Sequence, residues 1–172
     1  EPTNVFTDNV PPQVLFVERC LSLLKPGGRL GMVIPESLLS NKNYQHVVEY
    51  LMRNADVQAV IGMPESLFKT SGKGGTHTKT CLLIARKLEE GTTLSTSVFM
   101  AEAKWCGHDS RARIIPHNDL PEISIKLQAH QEGKVVDDSS LGFVLGKTDI
   151  SNNVLCPRYY DPQANKDLED LA

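Results

Sequence analysis

The stretch from Gln13 to Pro35, QVLFVERCLSLLKPGGRLGMVIP, constrains the fold more than any other part of the chain. Val14, Val17, Leu21 and Leu24 recur at the spacing of one helix face, with Cys20 beside them, and predict an amphipathic helix. Lys25-Pro26-Gly27-Gly28 ends it. Lysine suits the negative end of the helix, proline cannot continue the ladder, and glycine takes positive φ without penalty. Arg29 to Ile34 is a nearly continuous apolar run, which predicts a strand buried on both faces. A helix, a tight two-glycine turn and a buried strand form the αβ half of a doubly wound sheet.

The rest of the chain extends this unit. Glu1 to Pro12 is polar, ends in Pro-Pro and reads as an extended lead-in. After the strand, Pro35-Glu36-Ser37-Leu38-Leu39 is a turn, and Ser40 or Asn41 caps a second helix whose apolar face is Tyr44, Val47, Val48 and Leu51. VQAVIGM, Val57 to Met63, predicts a second strand, followed by Pro64-Glu65-Ser66-Leu67, an echo of the earlier PESL. Phe68 to Thr80 is polar and glycine-bearing, and TCLLIAR, Thr80 to Arg86, predicts a third strand. A link without a helix cannot make a right-handed parallel crossover, so the third strand is expected antiparallel to the second. The first two strands are then parallel, with both PESL turns at their carboxyl ends. That is the edge where open α/β sheets bind ligands. Residues 88–96 form a polar turn region and the expected boundary. Beyond it the pattern predicts a strand over 98–103, a loop over 106–116 carrying Arg111 and Arg113, a helix over 120–131, a short strand over 142–146 and a rigid turn over 157–162.

Composition excludes several classes. With 172 residues, 40% hydrophobic and 23% charged, the chain suits an ordinary globular protein. A net charge of −3 gives no global nucleic-acid signal, so any such surface is local. Cys20, Cys81, Cys106 and Cys156 lie far apart, with no CxxC pair, and read as free, mostly buried thiols of a cytoplasmic protein. No membrane-length apolar run is present, and no metal ligand set is expected. SGKGGTHTKT, Ser71 to Thr80, fails as a phosphate loop because His77-Thr78 interrupts the required spacing and a strand follows instead of a helix. It reads as a hairpin loop or as a basic loop suited to a polyanion, with Lys69, Lys73 and Lys79. Phe68 is either a hydrophobic plug beneath that loop or an aromatic platform able to stack on a base.

Taken together, LLKPGGRLGMVIPESLL, VQAVIGMPESLFKTSG and THTKTCLLIARK, in that order over Leu15 to Lys87, resemble adenine-N6 DNA methyltransferases. The likeness is greatest to the modification subunits of type I restriction systems and their fused relatives. VFMAEAKWCGHDSRARI resembles the strand and GxDxRG-like loop that follows the catalytic sheet in that family, with Ala112 where a glycine or other small residue is usual. The resemblance implies a partial Rossmann-like, S-adenosylmethionine-dependent α/β sheet with an antiparallel last strand, and methyl transfer to a flipped adenine. Phe68 matches the aromatic that stacks on that adenine. Lys69, Lys73, Lys79, Arg111 and Arg113 are implied near the DNA backbone, with Pro35, Glu36 and Pro64 bordering the cleft.

The family's glycine-rich cofactor motif and its Asn/Asp-Pro-Pro-aromatic tetrapeptide belong upstream of the first helix, and Asn9-Val10-Pro11-Pro12 is not that tetrapeptide. Residues 1–90 are therefore expected to be the C-terminal half of a catalytic domain, and 91–172 an extension toward a recognition region. No catalytic residue is expected within this chain, which is expected to be inactive alone. Double-stranded DNA and specificity and restriction subunits, or fused domains, are the expected partners, with dimerisation through an exposed sheet edge. The alternative is a non-catalytic module that docks DNA or another subunit.

Overall fold

The computed structural model describes residues 10–68 and 78–163. The first helix, α1 (Pro12–Leu23), starts with proline in its first turn, where no amide partner is needed, and buries Val14, Val17 and Leu21 completely or nearly so. Each such side chain is worth about 1.5–3 kcal/mol of transfer free energy. Leu24 leaves the helix extended, and Gly27 takes φ +72°, the left-handed turn that ends it. The cation at the helix end is Lys87 from a distant strand, whose Nζ donates to the Leu24 carbonyl at 2.7 Å.

Strand β1 (Arg29–Pro35) follows, then a one-turn helix α2 (Ser37–Ser40), a 3₁₀ turn in which the Asn41 side chain accepts from the Asn43 amide, and α3 (Gln45–Asn54). Val47, Val48 and Leu51 are the buried face of α3, as their spacing predicts. Strand β2 (Ala55–Gly62) begins immediately, and β3 (Thr80–Lys87), β4 (Ser97–Glu102) and β7 (Phe143–Gly146) complete a five-stranded sheet ordered β1-β3-β2-β4-β7. β3 runs antiparallel to both β1 and β2 and lies between them, which leaves β1 and β2 parallel. β4 pairs parallel with β2, and β7 antiparallel with β4. The sheet thus takes strands from both sides of residue 90.

One face of the sheet packs on α1, α2, α3 and the segment around Leu155, around Leu30, Ile34, Val57, Val60, Leu83 and Met100. The other face packs Ala59, Ile61, Phe99 and Ala101 against α4 (Leu120–Gln131) through Ile123. β2 sits between these two layers and is buried along nearly its whole length. β1 is not: Leu30 and Ile34 are buried while Arg29, Gly31 and Val33 are exposed, Val33 by 50%. The expectation of a strand covered on both faces is corrected here. α4 covers the β2–β4 end of the sheet, and β1 lies at its opposite edge, so only the helix-facing side of β1 is packed.

The segment over 106–116, expected to be a loop, is a hairpin: β5 (Cys106–His108) pairs with β6 (Ile114–Asn118). Pro116 and the missing turn glycine hid it. The chain ends, within the described residues, in a strap. Leu155 donates to the Leu39 carbonyl at 2.8 Å, and α5 (Pro157–Tyr160) packs on the ends of β2 and β4. Among the described residues no helix is long and apolar enough to cross a membrane.

Candidate functional site

The carboxyl ends of β1, β2 and β4 open on one rim, because these three strands are mutually parallel. The two PESL segments leave that rim by related but different turns. Leu67 donates to the Pro64 carbonyl and the chain enters 3₁₀ geometry at once, whereas the first bond of the other segment runs one residue later, from Leu39 to the Glu36 carbonyl, and opens a one-turn α-helix. Backbone bonds from Glu36 to Lys79 (2.9 Å), Met63 to Thr80 (2.8 Å) and Ala103 to Gly62 (2.9 Å) carry the strand pairing out to the rim itself. Pro35, Glu36, Pro64 and Lys79 are thereby placed together, and Phe68, half-buried, closes the turn that leaves the same edge. Lys69 and Lys73 lie outside the described residues.

Electrostatics at the rim centre on Lys79. Its ammonium donates to Glu102 Oε1 and lies 3.5 Å from Glu36 Oε2, with the side chain 14% exposed. Glu36 is shared with Arg158 of α5, also at 3.5 Å. Burial pushes the Glu102 carboxyl above its ordinary range, and the hydrogen bond from Lys79 opposes that rise. Glu102 Oε2 and Thr80 Oγ1 are buried with no hydrogen-bond partner among the described residues. The close fit depends on Gly62: a Cβ there would lie 2.0 Å from Glu102 Oε2. Two thiols sit beneath the cluster; burial pushes Cys156 up to about 11 and Cys81 higher still, so both are poor nucleophiles. Lys79 thus holds two strand ends together, and its charge is already matched within the protein.

Glu102 and Arg158 escaped the sequence reading. Arg158 lies 122 residues from Glu36 and Lys79 lies 23 from Glu102. No short-range pattern links them; the only signal was a carboxylate ending the apolar run VFMA. Beside the rim, Glu36, Lys42, Gln45, Asn152, Arg158 and Tyr159 line a groove of about 550 Å³. None of the rim turns described is a glycine-rich loop opening a long helix, and among the described residues no group of His, Cys, Asp and Glu could hold a metal ion.

Arg111 and Arg113 are not part of the Lys79 cluster; they lie on the tip of the β5–β6 hairpin, which follows the rim end of β4. The tip is a type I turn with an added left-handed residue: Ala112 donates to the Asp109 carbonyl, Asp109 donates to the Arg113 carbonyl, and Ala112 takes φ +59°. The Asp109 carboxylate accepts from the amides of Arg113 (3.0 Å) and Arg111 (2.8 Å), which hold it below the usual carboxylate range. The left-handed position explains why glycine suits this site. Ala112→Gly is expected to stabilise the protein by about 0.5–1 kcal/mol, measured by urea unfolding. An unchanged midpoint would show that the strain is already relieved.

A profile for the family described as N-6 DNA methylase matches residues 2–167. No curated protein matches the chain. Among solved structures, one from a study of assembly and conformational transition of the type I R-M system has TM-score 0.70 at 16% identity, covering 92% of this chain and 33% of that one. The methyltransferase subunit of a type I restriction-modification system from Streptococcus thermophilus has TM-score 0.65 at 18% identity, with 91% and 32% covered. A protein named as a class I S-adenosylmethionine-dependent methyltransferase from Listeria monocytogenes has TM-score 0.51 at 21% identity, with 67% and 31% covered. The chain therefore spans about a third of the length of these structures, and the likeness establishes a Rossmann-like methyltransferase fold.

Proposed function

We propose, from the premise that this chain belongs to the N-6 DNA methylase family, that it forms the C-terminal half, residues 1–90, of the catalytic domain of an adenine-N6 DNA methyltransferase. Residues 91–172 lead toward a recognition region, although β4 and β7 share the catalytic sheet. The longer protein transfers the methyl of S-adenosylmethionine to N6 of an adenine flipped from duplex DNA, in a cytoplasmic restriction–modification system with specificity and restriction subunits or fused domains as partners. The observation that carries this reading is the family match over nearly the whole chain, supported by parallel β1 and β2, whose carboxyl ends are followed by Pro35-Glu36 and by Pro64 to Phe68 on one rim.

The rim turns described do not fit the cofactor by themselves. They offer no glycine-rich cradle, and Glu36 is engaged by Lys79 and Arg158. When bound, the cofactor would supply the electrophilic methyl group; its pocket is assigned to sequence outside this chain. What this chain contributes is a base platform, Phe68, and a border of two prolines that narrows the cleft. Backbone contacts are assigned to Lys69, Lys73, Arg111 and Arg113. Lys79, already paired, is assigned to holding the rim. The edge of β1, unpaired among the described residues, suits strand pairing, either with the other half of the domain or with a second copy.

In the longer protein, Phe68→Ala is expected to lower methyl transfer to adenine by about 5- to 150-fold, the worth of one stacked base. The 172-residue chain alone is expected to transfer none. Full activity of the Phe68→Ala enzyme would remove the platform role, and methyl transfer by the chain alone would overturn its assignment as half a domain.

A further inference from the structure

We infer that the β5–β6 hairpin is a β-ribbon arm that enters a groove of the duplex beside the target base, with Arg111 and Arg113 on the flanking phosphates and Ile114 against the groove floor. Four observations carry this. The hairpin leaves the sheet immediately after β4, at the same rim as Phe68. Its tip exposes two arginines side by side with Ile114, which is 86% exposed, and Arg113 is itself 64% exposed. The carboxylates on the arm are largely engaged by its own backbone: Asp109 takes the amides of Arg111 and Arg113 and makes only a long, exposed contact of 3.9 Å with the Arg113 guanidinium, and Asp119 takes the amides of Lys104 and Trp105 at 2.8 and 2.9 Å. The root is held firm by that Asp119 bridge, by buried Cys106 and by the Trp105 and His117 rings, 5.6 Å apart.

The physical logic is complementarity of shape and charge. A two-stranded ribbon fits a B-DNA major groove, and guanidinium groups grip phosphate oxygens in their fork geometry. An exposed isoleucine between them gains burial on contact with base edges, the thymine methyl in particular. Preorganisation of the turn by Asp109 lowers the ordering entropy of that contact. The chain as a whole carries a charge of −3, so a localised basic arm is where a polyanion would be held. This inference rests on the DNA reading above and adds to it the element that fixes the register of the duplex.

The test is binding of a fluorescently labelled duplex by the 172-residue chain, followed by anisotropy across a salt series. Arg111→Ala with Arg113→Ala is expected to lower the salt slope by about two. Ile114→Ser is expected to lower affinity about tenfold with the slope unchanged. All three side chains are exposed, so circular dichroism should show intact folding. If the unaltered chain binds with a salt dependence that the double variant retains in full, the arm is not on DNA and the methyltransferase reading stands. If the unaltered chain does not bind duplex at all, the arm inference falls, whereas the methyltransferase reading stands or falls on methyl transfer by the longer protein. If DNA binding is intact in every variant while sedimentation shows that self-association is lost, the arm is a protein interface and the inference is overturned.

Discussion

Asp56→Ala is expected to destabilise the protein by about 3–5 kcal/mol, read from chemical unfolding at neutral pH. Asp56 opens β2 and is buried, with its carboxylate accepting from Ser95 Oγ at 2.6 Å and from the Lys147 ammonium. Lys147 follows β7, so this one carboxylate ties the amino end of a central strand to the far edge of the sheet. Removing it leaves a mostly buried ammonium without a counter-charge, the expensive way to break such a pair. Burial alone would raise the Asp56 carboxyl, but the hydrogen bonds from Lys147 and Ser95 outweigh it and hold it below the ordinary value. A depressed folded-state value means the stabilisation is present above the ordinary aspartate range, about pH 4, and is lost as pH falls through the folded value. The alanine variant should therefore lose less stability on acidification than the parent. Equal acid sensitivity of the two would show that Asp56 is not the titrating link.

Lys79→Met is expected to cost a similar amount, about 3–5 kcal/mol at pH 7, because it strands Glu102 in a site where its side chain is 12% exposed. Here the pH dependence has the opposite sign. The folded-state value of Glu102 is raised, so this group favours the fold below the ordinary glutamate range, about pH 4.3, and opposes it as pH rises through the folded value. Lys79 is what limits that rise. Without it the value moves further up, and the penalty should be large at neutral pH and shrink as the solution is acidified toward pH 4. The same variant separates two roles for this lysine. A residue that braces the rim costs stability and leaves the salt slope of DNA binding unchanged, whereas a backbone contact lowers that slope by about one with little loss of stability.

Much of the architecture was legible in local pattern. The periodicity of Val14, Val17 and Leu21 set the first helix, the KPGG turn followed its end, and the polar, glycine-bearing link before Thr80 pointed to the antiparallel β3 that is observed. The parallel pair with both PESL turns at one rim followed from that single constraint. Local pattern misled where neighbours decide the outcome. Arg29 to Ile34 is as apolar as a doubly covered strand, yet Val33 is half exposed, because coverage depends on which helix crosses the far face. The loop expected over 106–116 is part of a hairpin that local pattern conceals, because its turn carries Ala112, not glycine, in the left-handed position, and Pro116 lies in its second strand.

Sequence by itself determined the principal helices and the strands of the main sheet, though not the β5–β6 hairpin, and which strand ends share an edge, since these rest on spacing, turn residues and link length within a few residues. Only the tertiary structure decided the partners of the charges: Lys79 with Glu36 and Glu102, Arg158 with Glu36, Asp56 with Lys147. An ion pair requires two side chains within a few ångströms in a shared low-dielectric setting. Nothing in the spacing of residues up to 122 positions apart encodes that distance until the sheet and its strap have brought them together.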